Sequence, residues 1–218
     1  MKYFKAALIT ASIVTASNIC KAEPLFGSSK LLATPGVVQV EGAAGSGLTT
    51  WAVISGYGSN REVGANAHYT LVTTQDYTLN AVGARFGFFD RVELSLTRQY
   101  FDTGDAGTAL GLGEGFNFNQ DIVGLKARLF GDAVYAQDSW IPQVSAGVQY
   151  KKADKSAIIA AIGGQDDDDF DYYLSATKIL LEHSLVLTGT TRLTRANQFG
   201  LLGFGGDNNT NHSLQFEG

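Results

Sequence analysis

Stretches of about ten residues alternate apolar and polar side chains, short and long connections follow one another in turn, and aromatics gather near the strand ends. Together these predict an all-β chain: an antiparallel transmembrane β-barrel of the outer-membrane type. No run after the N-terminus approaches the ~20 apolar residues that a membrane-crossing helix needs. Composition agrees. The 218 residues include 26 Gly and 22 Phe or Tyr but only 3 Pro, 1 Cys and 1 Met, with a mean hydropathy of 0.00. That balance excludes a collagen, a disulfide scaffold and a disordered chain.

The elements follow in order. Residues 1–22 read as a secretory signal: Lys2 and Lys5 precede the apolar core Ala6 to Ala16, and Ala22 offers a small residue for cleavage. Cleavage there removes three lysines and the only cysteine. It leaves 13 basic and 21 acidic residues, a net charge of −8, which argues against nucleic acid as a partner. Residues 23–218 would then be the barrel domain. Strands are expected near 37–43, 49–57, 62–72, 76–87, 91–101, 120–130, 142–151, 170–180 and 184–194, with a tenth beginning near Ser213.

The alternation is plainest at Val92-Glu93-Leu94-Ser95-Leu96-Thr97 and at Val123 to Leu129. Short to moderate connections (Phe88 to Asp90, Gly131 to Ile141, Leu181 to His183) alternate with long ones (102–119, 152–169, 195–212). Lys155 to Ile162 is the one stretch expected to be helical, with Gly163-Gly164 as its stop.

With the strands placed, four stretches resemble a proteobacterial family: LFGSSKLLATPGVVQVEGAAGSG (Leu25–Gly47), FFDRVELS (Phe88–Ser95), QDIVGLKARLFGDAVY (Gln120–Tyr135) and TRANQFGLLGFGGD (Thr194–Asp207). It is the domain of unknown function 3034 family of outer-membrane proteins. The resemblance implies export and a barrel-like fold; it implies no activity and no catalytic residues. The chain stops at Gly218 as its tenth strand begins. A barrel that must close in lipid is therefore expected to be C-terminally incomplete here, with at least ten strands and twelve in an intact chain.

On a barrel, the polar face of each strand turns inward. Glu93, Lys126, Arg128, Gln149, Arg192 and His68 are the expected lumen lining. Lys126 and Arg128 could attract an anionic solute, or could instead join Glu93 in an ion-pair network that fills a narrow barrel. Within 196–204, an apolar stretch unusual for an outer loop, Asn197, Phe199, Leu201 and Phe204 are expected to constrict the mouth. Asp166, Asp167, Asp168 and Asp169 read as a solvated acidic loop. A divalent cation bridging to lipopolysaccharide is their sharper alternative. No cofactor is expected. The three His (68, 183 and 212) fall in different places and no G-x-S-x-G is present, so catalysis, even by a membrane-embedded hydrolase, is not expected.

The function these features favour is a passive channel or small-solute uptake protein in the outer membrane of a Gram-negative bacterium, in contact with lipid and lipopolysaccharide. A non-conducting structural or surface-binding barrel is the alternative.

Overall fold

The computed structural model describes residues 7–11 and 36–218, except 57, 110, 114 and 207–209. Of the segment expected to be a secretory signal, only Ala7–Ala11 falls within it. That stretch is strand β1. Two pairs of residues, β2 (Gly45–Ser46) and β3 (Thr49–Thr50), form a small separate ladder. The long strands are β4 (Val63–Thr73), β5 (Thr78–Phe88), β6 (Val92–Asp102), β7 (Asn117–Phe130), β8 (Gln143–Ala153), β9 (Asp168–Leu180) and β10 (Leu185–Thr194). The short β11 (Ser213–Glu217) completes the set.

Strands β4 to β11 pair antiparallel in sequence order, and β1 adds to the outer edge of β4, so one sheet holds nine strands. Among the described residues, β1 and β11 do not pair with each other. The sheet is not closed among the described residues. No helix among the described residues is long and apolar enough to cross a membrane.

The period-two pattern sets the register and the faces. Along β6, Glu93, Ser95, Thr97 and Gln99 are buried, while Leu96 and Tyr100 are exposed. Along β7, Gln120, Ile122 and Lys126 are buried and Val123, Leu125 and Leu129 are exposed. The same inversion runs through β8, β9 and β10. Most inward side chains on the covered face are polar, with Phe118, Ile122 and Tyr173 among them, and large apolar ones line the open face. In a water-soluble sheet the burial runs the other way.

The tight ends come where the short connections were expected. The β5–β6 connection, residues 89–91, sets Phe89 and Asp90 in the left-handed region at φ 54° and 53° and closes with the Arg91 N–H donating to the Phe88 carbonyl at 2.9 Å. At the long-connection end, α1 (Gly104–Ala109) and α2 (Ser156–Ala161) cap their loops. The second falls inside the stretch expected to be helical; the first was not foreseen.

The strands expected at 37–43 and 49–57 do not join the sheet. Residues 36–56 instead cross its covered face as an irregular inner segment, with Val38, Gln39, Val40, Glu41, Ala44, Ala52 and Ile54 all buried. Apolar contact contributes at one end, where Ala44, Trp51 and Val53 pack with Ala133, Val134 and Ile179. Close approach is needed elsewhere. A Cβ at Gly87 would overlap the Ser55 carbonyl oxygen. Replacing Gly87 by Val is therefore expected to push the inner segment away and lower stability by roughly 1–3 kcal/mol. A urea titration of the purified variant checks this.

Candidate functional site

The covered face of the sheet is a polar interior built around two buried ionic clusters. In the first, Glu93 and Lys126 face each other across the β6–β7 ladder and form an ion pair at 3.0 Å, each side chain 1% exposed. The backbone N–H groups of Ala44 and Ser55 donate to the two Glu93 carboxylate oxygens at 3.0 and 2.7 Å. Lys126 Nζ donates in turn to the Trp51 carbonyl at 3.2 Å. One ion pair thus reaches the inner segment at three points.

The second cluster centres on Glu41 of the inner segment. It pairs with Lys151 on β8 and, at 3.1 Å, with Arg192 on β10. Asp171 on β9 meets the same two cations, Lys151 at 2.7 Å and Arg192 at 3.4 Å. Arg192 Nε also donates to Glu217 on β11 at 2.7 Å, and its Nη1 to Gln149 Oε1 at 2.6 Å. Ionic pairing therefore stitches four successive strands to one buried carboxylate.

Between the clusters, neutral side chains and Arg85 serve the irregular backbone. Thr177 Oγ1 accepts from the Ala52 N–H at 2.8 Å, and Gln143 and Ser145 donate to the Ala52 carbonyl at 2.7 and 2.5 Å. Gln99 donates to Val40 O, Thr190 to Thr50 O, and Arg85 to the carbonyls of Gly36 and Val37. Backbone groups with no ladder must find partners when buried, and inward side chains provide them here.

All the residues expected to line a lumen except Arg128 are buried on this face. Glu93, Lys126, Gln149 and Arg192 meet the inner segment or the cluster around it. His68 lies deep on β4, with Nε2 3.4 Å from Thr97 Oγ1. Arg128 sits apart, near the end of β7, paired with Asp90 and Asp132 and donating to the Gly131 carbonyl. Lys126 and Arg128, taken together in the sequence as a possible attractor of an anion, lie in separate clusters, and each has carboxylate partners within its own.

In the loop expected to constrict the mouth, Leu201 and Phe204 are buried while Phe199 is exposed and Asn197 half-buried. Asn197 donates to the Gly205 carbonyl at 2.7 Å, which folds the loop on itself. The loop is tied across the long-connection end by bridges from Phe204 to Asp166 and to Ala196. The acidic run is also engaged. Asp166 and Asp169 pair with Arg195, Asp167 accepts from Ser156 at 2.5 Å, and Asp168 accepts from Tyr150 at 2.8 Å. Among the described residues no group of three or more His, Cys, Asp or Glu could hold a metal ion. The run ties loops together.

A model of the family described as protein of unknown function (DUF3034) matches residues 34–218. The chain belongs to this family. No curated protein and no solved structure matches it. The matched region takes in the inner segment as well as strands β4 to β11, so both are part of what the family model describes.

Gln39, Glu41, Arg85, Gln99, Lys151, Asp171 and Thr177 escaped the sequence reading. A signal for the inner segment was present: Gly42-Ala43-Ala44-Gly45-Ser46-Gly47 and Trp51-Ala52-Val53-Ile54 break the alternation that every true strand keeps.

Two outcomes follow. Lys126→Met should lower stability by about 3–5 kcal/mol, since it strands a buried carboxylate, and Glu93→Gln in the same chain should recover part of the loss. Chemical denaturation of the single and double variants measures both. In the β7–β8 turn, burial raises the Asp132 carboxyl, but the Tyr135 and Val134 N–H groups and Arg128 outweigh it and hold the group below its ordinary range. A depressed carboxyl stabilises the fold above its unfolded pKa, about 3.9, and loses that contribution as pH falls through the folded value. The stability gap between the native chain and Asp132→Asn should therefore shrink on going from about pH 5 towards pH 2, read by thermal melts at each pH.

Proposed function

We propose that this chain is an outer-membrane β-barrel protein whose interior is occupied by its own residues 36–56. It acts as a non-conducting structural or surface-binding barrel rather than an open diffusion channel. The observation that carries this is the hydrogen-bonded seating of the inner segment: Glu93, Lys126, Gln99, Thr177 and Thr190 hold its backbone across the face that a pore would leave free.

The membrane assignment is supported by the inverted faces. Val82, Leu96, Val123, Leu125, Leu174, Leu187 and Leu193 stand exposed on one side of strands about ten residues long, the length that a tilted strand needs to cross a bilayer. Hydrocarbon would cover that side, with lipopolysaccharide against the long loops. Irregular backbone at membrane depth is tolerated only when protein or water surrounds it, which the polar interior satisfies for residues 36–56. In this reading residues 1–22 are a cleaved signal, which vacates the position of β1 beside β4. Lipid would then require the edges of β4 and β11 to be paired, because an open ladder leaves N–H and C=O groups unsatisfied.

Purified full-length protein in a planar bilayer should give no discrete openings, and reproducible conductance steps would overturn the occluded barrel. Cell fractionation tests the location independently. The protein should follow the outer membrane, and recovery in the soluble periplasm would refute the membrane assignment.

A further inference from the structure

The inner segment draws distant strands of the sheet together. Glu41 pairs with Arg192 on β10 at 3.1 Å, and a Cβ on the next residue, Gly42, would lie 3.6 Å from His68 Cε1 on β4. Those two strands are six steps apart, about 29 Å in a flat sheet at ~4.8 Å per step. Thr50 donates its N–H to Glu217 on β11 at 3.2 Å, and a Cβ on Gly56 would lie 2.7 Å from the Gly64 backbone on β4. Thr50 and Gly56 are at most about 22 Å apart along the chain. The sheet is therefore curled around residues 36–56.

The ladders say where its two edges would meet. From Gly64, a line at right angles to the strands crosses Glu93, Lys126 and Arg192 and reaches Gln215 on β11. Strands β4 to β11 number eight. Eight strands close at a tilt of about 36° when such a line returns to its first strand about eight residues from its start. That far up β4 from Gly64 is Val72; that far down is Gly56, off the strand. An even step keeps inward side chains beside inward ones. It sets Gln215 opposite Val72, Leu214 opposite Thr73 and Phe216 opposite Leu71.

That stretch of edge is the one β1 covers, with Ala7–Ala11 paired to Thr73–Tyr69. Both β1 and β11 are five residues long. We infer that β11 takes the place of β1 on β4 when residues 1–22 leave, closing β4 to β11 into an eight-stranded barrel around residues 36–56. This exchange rests on the reading of residues 1–22 as a cleaved signal, and gives the β4 edge a partner and a register. The wall has fewer strands than the sequence pattern suggests because 37–43 and 49–57 lie inside it. An eight-stranded interior is just wide enough for side chains. Gly64 and Gly87, inward positions without one, make room for the backbone at Gly56 and Ser55.

Cys20 is the single cysteine and leaves with the signal, so the cleaved chain supplies no competing thiol. The test is oxidative crosslinking of the exported protein carrying Leu71→Cys with Phe216→Cys, its N-terminus read by mass spectrometry. An intramolecular disulfide should form in at least tenfold higher yield than in Val63→Cys with Phe216→Cys, the register of a ring without stagger. Thr73→Cys with Leu214→Cys is the second staggered pair and should behave like the first. Retaining the signal by Ala22→Tyr, with Cys20→Ser, should abolish the Leu71–Phe216 disulfide. No disulfide in either staggered pair of a protein with the native circular dichroism spectrum would overturn the closure. So would equal yield in the unstaggered pair, equal yield with the signal retained, or a disulfide between two copies, which would give the β4 edge to a second chain. An exported chain that keeps residues 1–22 would instead overturn the signal reading. Fractionation is a separate measurement, so closure and membrane location fail independently.

Discussion

Glu93 makes the sheet and the segment inside it a single structure. A carboxylate that is 1% exposed has lost its hydration and must recover it from protein groups, at several kcal/mol if it does not. Lys126 returns part of that, and the N–H groups of Ala44 and Ser55 return the rest. The dependence is mutual. Those N–H groups belong to backbone with no ladder of its own, and without Glu93 they would be buried donors lacking an acceptor. Removing any one partner therefore exposes the others to the cost it was relieving.

The same exchange explains why the interior can be polar at all. Inward side chains of β5 to β10 are arranged as donors and acceptors for a segment whose only ladder is the short β2–β3 pair, so much of the polar face of the sheet meets peptide groups. Glu41 repeats the arrangement at the other cluster, where one carboxylate from the inner segment gathers cations from β8 and β10. An ion pair in such a setting adds little net stability over a well-packed apolar pair. What it contributes is register: Glu41 is held between Lys151 and Arg192, which fixes how the segment lies along the sheet.

Much of the sheet was legible from residue order alone. Leu94, Leu96 and Val123 alternate with Glu93, Ser95 and Gly124, and strands with one apolar face allow no slip of register. The turn at Phe89-Asp90 and the helix near Ile158 were also readable, because turn length and helix stops are local properties. The strands expected at 37–43 and 49–57 failed for a physical reason. Their apolar residues are buried on all sides instead of one, and short apolar runs carry no period that separates a strand from a buried irregular segment. Of the interior residues, Glu93, Lys126 and Arg192 could be placed on the polar face, but their partners could not. Glu41 is 110 residues from Lys151 in the chain.

The sequence by itself determined which side of each strand is apolar, where the chain turns, and that the polar face would carry charge. Those follow from alternation and from local backbone preferences, which act over a few residues. Only the tertiary structure decided what the charged face meets. Whether Lys126 and Arg192 look into open space or clasp residues 36–56 depends on contacts between parts of the chain far apart in sequence, and no local pattern encodes the backbone groups that complete them.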